Sequence, residues 1–466
     1  MEPIKLKTVL TAVTLVSGVF MMLLIGTGAS ASAYQAEGLA LDFGERDVIW
    51  TGADLHLITD PIDLLTSVCE ERGFECTVIG SVVTKVKRTT AGGEVIEYES
   101  DLERKWDFWI IKKGELAWTK LFPPYRADLL GQTSCAWAYC SETETPSVGA
   151  DQAGNSIFGY ARPHRTVSLA PSITEMIGSL NAVSTLVGTD RYSNYPNSVV
   201  QAQIRGDIVS IGDYVNPSYE LIMGTDPDIV YCDGAQYSHY EASERLRRSN
   251  VATVVLYGGE SIETILDNIY IIGKTLEYDL RALSVINMLK DAEVAVIERL
   301  VAGGVDYVKG MFTLSSDKSP WVAGRYTYAD DISDSVFGLN SMPDSFYGWV
   351  HVSSEIIAAA DPSVIMIIME GYTASVSGYN EVLNSLPSEW RATAAYNAAD
   401  PADSQIYLLC DKLAEMASRP GPRYMQLMEI VAMILHPYAF DVQLPKYIGN
   451  EYEDYLTITS HLGFNS

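Results

Sequence analysis

Apolar positions change their spacing along this chain, and each change predicts a different kind of structure. Near the start, Thr8 to Ile25 is uncharged and mostly apolar. Between about residues 34 and 160 the apolar residues come in short alternating bursts: Leu39-Ala-Leu-Asp-Phe43, Val78-Ile79 with Val82-Val83, Trp106-Asp-Phe-Trp-Ile-Ile111 and Ala136-Trp-Ala-Tyr-Cys140. These predict strands, with a short helix over Pro61 to Cys69, and hence a small β-rich domain. Ser141 to Arg162 is rich in Ser, Thr, Gly and Pro without a period and reads as a linker. From Thr166 onward, short buried-strand runs (Val167-Ser-Leu169, Leu186-Val-Gly188, Val251 to Tyr257) alternate with helix-period stretches such as Ser172 to Leu180. The longest of these, Ile262 to Val301, carries Leu283, Ile286, Leu289, Val296 and Leu300 on one face and predicts a spine helix. A helix over Arg423 to Leu435 follows Pro-Gly-Pro, and residues 443–466 are acidic and aromatic without a period.

One unit occurs twice, 135 residues apart. Glu220-Leu-Ile-Met-Gly-Thr-Asp226-Pro227 leads into Ile229-Val230-Tyr231, and Glu355-Ile-Ile-Ala-Ala-Ala-Asp361-Pro362 leads into Val364 to Ile368. Each copy reads as a helix with a glutamate in its first turn, stopped before an Asp-Pro and feeding a buried strand. Two similar lobes follow, each presenting one carboxylate at an equivalent place.

With 466 residues the chain has room for two or three domains. Against 60 acidic residues stand 32 basic ones, a net charge of −28, which argues against a nucleic-acid or anionic-lipid surface. Lys5 and Lys7 precede the first apolar run, and Ala29-Ser-Ala31-Ser-Ala33 offers small-residue cleavage sites, so residues 1–33 read as a signal peptide or an uncleaved membrane anchor. No cysteine near that run supports a lipid anchor. Cys69, Cys76, Cys135 and Cys140 are candidates for one or two disulfides in an exported domain, with three pairings open. Zinc is the rival reading, weakened by the lack of a CxxC spacing.

Thr166-Val-Ser-Leu-Ala-Pro-Ser-Ile-Thr-Glu175, Asp190-Arg-Tyr-Ser-Asn-Tyr-Pro196, Ile211-Gly-Asp-Tyr214, Asn216-Pro-Ser-Tyr-Glu220, Asp226-Pro-Asp-Ile-Val230 and Ser418-Arg-Pro-Gly-Pro-Arg423 occur in this order. Together they resemble the substrate-binding proteins of ABC importers for iron-siderophores, haem and cobalamin, over about residues 163 to 440. The resemblance implies an α/β fold of two Rossmann-like lobes (163–261 and 305–440, within a domain of 161–442) joined by a spine helix (262–301). The β-rich region 34–160 is similar to β-grasp-type accessory domains.

A role as extracytoplasmic receptor is implied, capturing a metal chelate and passing it to a permease dimer with its ATPase subunits. Glu220 and Glu355 match positions that meet permease arginines in relatives. Tyr192, Tyr214 and Trp349 match cleft positions, with Trp321, Arg325 and Tyr326 on the corresponding lobe-two loop and Tyr237 and His239 nearby. Aromatic walls suit a large flat ligand. No resident cofactor or metal is expected, and no catalytic residues: HExxH, GxSxG and a Cys-His pair are missing, and Gly273-Lys-Thr275 lacks the upstream glycine of a phosphate loop. The alternatives are a bare zinc or manganese receptor, with His239 and His351 nearest the cleft, and a surface adhesion or scaffolding module.

Overall fold

The computed structural model describes residues 37–53, 60–90, 93–112, 115–121 and 132–462. The signal or anchor segment expected over residues 1–33 lies outside them. Among the described residues no helix is long and apolar enough to cross a membrane.

The N-terminal region folds around two sheets. Strands β1 (Gly38–Asp42), β2 (Val48–Gly52), β6 (Arg104–Lys112), β7 (Thr119–Leu121) and β8 (Gln132–Ser141) form a sheet of order β2-β1-β8-β6-β7. Strands β3 (Glu75–Ile79), β4 (Val82–Thr89) and β5 (Val95–Glu99) form an antiparallel ribbon. Helix α1 (Pro61–Arg72) starts where the Asp60 carboxylate accepts the Ile62 amide at 2.8 Å, with Pro61 at a position whose N–H would be unpaired anyway. It stops at Gly73, left-handed at φ 71°. Leu39, Leu41, Leu64, Leu65, Phe108 and Trp137 bury the space between.

Lobe one is a five-stranded parallel sheet: β9 (Thr166–Ser168), β10 (Leu186–Thr189), β11 (Val209–Ser210), β12 (Ile229–Asp233) and β13 (Ala252–Leu256), in the order β11-β10-β9-β12-β13. Helices α2 (Pro171–Ser179), α3 (Asn197–Arg205), α4 (Tyr219–Gly224) and α5 (Tyr237–Arg248) connect these strands.

The expected spine is two helices. Helix α6 (Ile262–Leu276) ends at Glu277, left-handed at φ 59°, and α7 (Asp279–Gly303) begins anew. The two cross so closely that a side chain on Gly273 would stand 2.4 Å from the Ala282 methyl. Close packing therefore accounts for the glycine of Gly273-Lys-Thr275. The Lys274 ammonium is held by the Val48 carbonyl and Asp279, and Thr275 meets the Tyr231 hydroxyl at 2.5 Å. Only α7, 25 residues and about 37 Å long, connects the lobes as a spine.

Lobe two repeats the plan. The parallel strands β14 (Val308–Thr313), β16 (Gly338–Asn340), β18 (Val364–Met369) and β19 (Ile406–Cys410) are widened by the antiparallel pair β15 (Trp321–Ala323) and β17 (Trp349–His351). Helices α8 (Tyr328–Ser335), α9 (Ser354–Ala360), α10 (Val376–Ser385), α11 (Asp411–Ser418) and α12 (Tyr424–Leu435) complete it. The last, buried along its whole length, forms the lobe's core. Residues 443–462, which show no period in sequence, belong to this lobe: β20 (Tyr447–Ile448) pairs in parallel with β19. The fully buried Glu429 carboxylate of α12 accepts the amides of Thr457, Ile458 and Thr459 and the two threonine hydroxyls at 2.7 to 2.8 Å.

The N-terminal domain is joined to lobe one through polar contacts and shared core. Arg46, 6% exposed, reaches Asp267 at 2.8 Å and Glu263 at 2.5 Å, both on α6. The Asp151 carboxylate, 1% exposed, organises the linker by accepting the amides of Asn155 and Val255. The Gln152 amide then bonds the Val255 carbonyl at 2.8 Å, so the linker runs along the edge of lobe one's sheet.

Candidate functional site

A cavity of about 620 Å³ lies between the lobes. Lobe one supplies Pro171 and Ser172 at the start of α2, Tyr192 after β10, Tyr214 after β11, and Asp233 at the end of β12. Lobe two supplies Glu370 and Gly371 after β18, and Asp411, Glu415, Ser418 and Arg419 on and just after α11. All lie at the carboxyl ends of parallel strands, where open α/β sheets bind ligands because the connecting loops part there. A second cavity of about 500 Å³ shares Glu370 and Ser418 and continues the cleft over lobe two past Leu314, Ile368 and Met369.

Two hydrogen-bonded networks fix the lobe-one wall. The buried Asp190 carboxylate accepts the Tyr192 amide at 2.7 Å and the Ser193 hydroxyl at 2.5 Å. Ser193 in turn meets Thr174 at 2.8 Å. Burial raises the Asp190 carboxyl above its ordinary range, against these hydrogen bonds. Tyr192 stays half in solvent, and its hydroxyl donates to Asp213 at 3.0 Å. The Tyr214 hydroxyl donates to Asp233 at 2.7 Å, and burial pushes this phenol up, with Asp233 adding to the effect.

His239 is fully buried and stands edge-on to Tyr214, ring centroids 5.3 Å apart. The Asp233 amide donates to its Nδ1 at 2.9 Å, so Nε2 carries the proton and donates to the Tyr214 carbonyl at 2.7 Å. Burial holds the imidazole below its ordinary pKa. Both ring nitrogens are thus occupied in joining two cleft loops.

The lobes are clasped beneath the cleft. Arg423 donates twice to Glu175, at 2.8 and 2.5 Å, each side chain 2% exposed, and its guanidinium lies 4.1 Å from the Tyr195 ring centre. Nearer the opening, the Asn194 amide donates to Glu415 at 2.9 Å and accepts from Arg419 at 2.7 Å. Charge in the cavity is one-sided. Asp233, Glu370, Asp411 and Glu415 line it, whereas among the described residues Arg419 is its single lining cation and is already held by Asn194 and Glu415. Among the described residues no group of three or more His, Cys, Asp or Glu is arranged to hold a metal ion.

Of the expected cleft residues, the fold brings together Tyr192 and Tyr214. Trp321, Trp349, Arg325, Tyr326 and Tyr237 are outside the cavity lining. Trp321, on β15, packs beside His351. Trp349 on β17 packs on the main core. Because β15 runs antiparallel to β14, Arg325 and Tyr326 are carried to the far end of the sheet. Arg325 is held there by Asp330, Asp334 and Asp344, and Tyr326 stacks on Tyr347 at 5.7 Å. Tyr237 opens α5, 77% exposed. Asn194 and the four carboxylates were missed, although Asp233, Glu370 and Asp411 each directly end a strand-like apolar run, a signal visible in sequence.

The two repeat glutamates occupy equivalent positions in the first turns of α4 and α9. Asp226 and Asp361, at φ 49° and 47°, end the copies alike. Since each helix precedes a parallel strand and runs against it, both first turns lie at the cleft end of the lobes. Glu220 is exposed and 3.3 Å from Arg245. Glu355 is exposed, its carboxyl held below the ordinary value by the Ser353 hydroxyl, its own backbone amide and Lys318.

Two α/β lobes, one connecting helix and a ligand-sized cleft at the strand ends define a bilobal solute-binding protein. The chain belongs to the periplasmic binding protein family, whose model matches residues 166–398. An uncharacterised ABC transporter substrate-binding lipoprotein, YvrC of Bacillus subtilis, is 22% identical over 306 residues, covering 64% of this chain and 88% of that protein. A cobalamin-binding protein of Halobacterium salinarum is 21% identical over 223 residues, 47% of this chain and 58% of the relative. The fold resembles a possible iron-binding periplasmic protein of Staphylococcus epidermidis (TM-score 0.50, 21% identity, covering 59% of this chain and all of that one). It also resembles a periplasmic haem-binding protein of Pseudomonas aeruginosa (TM-score 0.50, 19% identity, covering 61% and 96%).

Proposed function

We propose that this protein is the extracytoplasmic receptor of an ABC importer, binding a metal chelate between its lobes and delivering it to a permease dimer driven by ATPase subunits. Glu220 and Glu355 are the docking carboxylates. A corrinoid fits the cleft better than haem or a catecholate siderophore does. The observation that carries this choice is the lining: four carboxylates, two tyrosines and one engaged arginine. Haem carries two propionates and a catecholate complex is strongly anionic, so either would meet like charge in a half-desolvated cavity. Cobalamin carries one phosphodiester, offset by its cobalt-corrin cation, and is rimmed by amide N–H groups, for which Asp233, Glu370, Asp411 and Glu415 are acceptors. Its flat macrocycle suits Tyr192 and Tyr214. No observation favours a bare metal ion or an adhesion role.

Titrating the purified chain with cobalamin, haem and ferric enterobactin while following tryptophan fluorescence tests the proposal. Saturable binding of cobalamin alone is expected. Binding of haem or the siderophore alone refutes the corrinoid assignment, and binding of none of the three refutes the chelate class.

A further inference from the structure

The four cysteines of the N-terminal domain meet different surroundings. Cys135 and Cys140 are five residues apart on β8, an odd separation, so they leave opposite faces of the sheet. Cys135 points into the domain core and donates to the Gly38 carbonyl at 3.1 Å, whereas Cys140 packs with Trp109 and Ala138 on the other side. Cys232 and Cys410 are buried in separate lobes.

Cys69 and Cys76 meet. Cys69 lies in the last turn of α1, 1% exposed, and Cys76 is the second residue of β3. Between them Gly73 reverses the chain at φ 71°, and the Phe74 amide bonds the Cys69 carbonyl at 2.8 Å. The strand is therefore sent back against the helix it has just left. Both residues join the same core, Cys69 within it and Cys76 packed against it, and each thiol shifts the other's titration. A disulfide needs such an approach of two side chains, with Cβ atoms about 4 Å apart.

We infer that Cys69 and Cys76 form the domain's one disulfide in the exported protein, and that Cys135 and Cys140 remain thiols. This rests on the extracytoplasmic reading, since such bonds persist outside reducing compartments. The oxidant is a disulfide of a thiol-exchange partner. The Cys76 thiolate attacks one partner sulfur, and the other leaves as a thiolate. The Cys69 thiolate then attacks the Cys76 sulfur of the mixed disulfide and releases the second partner thiolate. Two cysteine protons and two electrons pass to the partner, which becomes a dithiol. Cys76 is the entry point because it is partly exposed, and the neighbouring Cys69 holds its thiol below the ordinary value.

The test uses the full chain purified from an oxidising compartment without reductant, denatured in excess N-ethylmaleimide and digested with trypsin. Cleavage after Arg72 separates the two cysteines, so the bond appears as two joined peptides, two hydrogens lighter than their sum. Expected is this pair alone, with Cys135, Cys140, Cys232 and Cys410 recovered as maleimide adducts. Adducts on both Cys69 and Cys76, or either of them joined to Cys135 or Cys140, overturn the assignment. The readout involves no ligand, so it stands or falls apart from the transport reading.

Discussion

At the scale of single residues, the side chains holding the cleft are paired over distances that leave no local trace in sequence. Glu175 and Arg423 are 248 positions apart and bond in a fully buried, bidentate geometry. Removing one member leaves the other charged and dry, so Arg423→Ala should lower unfolding stability by about 3 to 5 kcal/mol, measured by denaturant titration. His239 gives a prediction in pH. Burial depresses its folded-state pKa, so the unfolded chain takes up its proton first, and this site's contribution to stability falls as pH drops below about 6.5. His239→Gln can keep both hydrogen bonds and cannot titrate. Between pH 7.5 and 5.5 its melting temperature should change less unfavourably than that of the wild type; equal changes would show that His239 binds its proton equally well in the folded and unfolded chain. Both Glu175 and Arg423 stood in sequence motifs. Their partnership, and the occupied nitrogens of His239, become visible only when distant segments meet.

Elements were more legible, because period and punctuation act locally. The strand-helix alternation after Thr166 and the duplicated glutamate helices came directly from apolar spacing and Asp-Pro stops. The spine did not. Its helical period runs through residue 277, and only the left-handed Glu277 and the crossing at Gly273 break it. The C-terminal segment was illegible because a two-residue strand, scattered apolar anchors and the buried Glu429 carboxylate hold it instead of a periodic face. Glu429→Ala should release residues 457–459 and cost about 3 kcal/mol or more, with new protease sensitivity near the C-terminus. The paired helices carry the docking prediction. The Arg245 contact of Glu220 is solvent-exposed and worth at most about 1 kcal/mol, so it leaves the carboxylate available to a partner. Glu220→Lys combined with Glu355→Lys should abolish uptake in vesicles bearing the cognate permease, with ligand affinity unchanged. An equal fall in affinity would move these residues out of a docking role.

At the scale of the whole molecule, several connections keep the lobes in register. The spine α7, the buried Glu175–Arg423 pair and the Asn194 clasp all join them, and the proposed function predicts that ligand entry needs a small adjustment at the rim, not a wide opening. The N-terminal domain is fixed to α6 through Arg46 and is continuous with lobe one's core. In the proposed function, recognition falls to the two tyrosines and the acidic rim at the strand ends, with no part for the exposed aromatics elsewhere. Calorimetric titration of cobalamin into the wild type, Tyr214→Ala and Tyr237→Ala tests this most directly. Loss of at least tenfold in affinity, about 1.4 kcal/mol, is predicted for Tyr214→Ala, with wild-type affinity for Tyr237→Ala. Full affinity in Tyr214→Ala, or its loss in Tyr237→Ala, would contradict the assignment of the cleft.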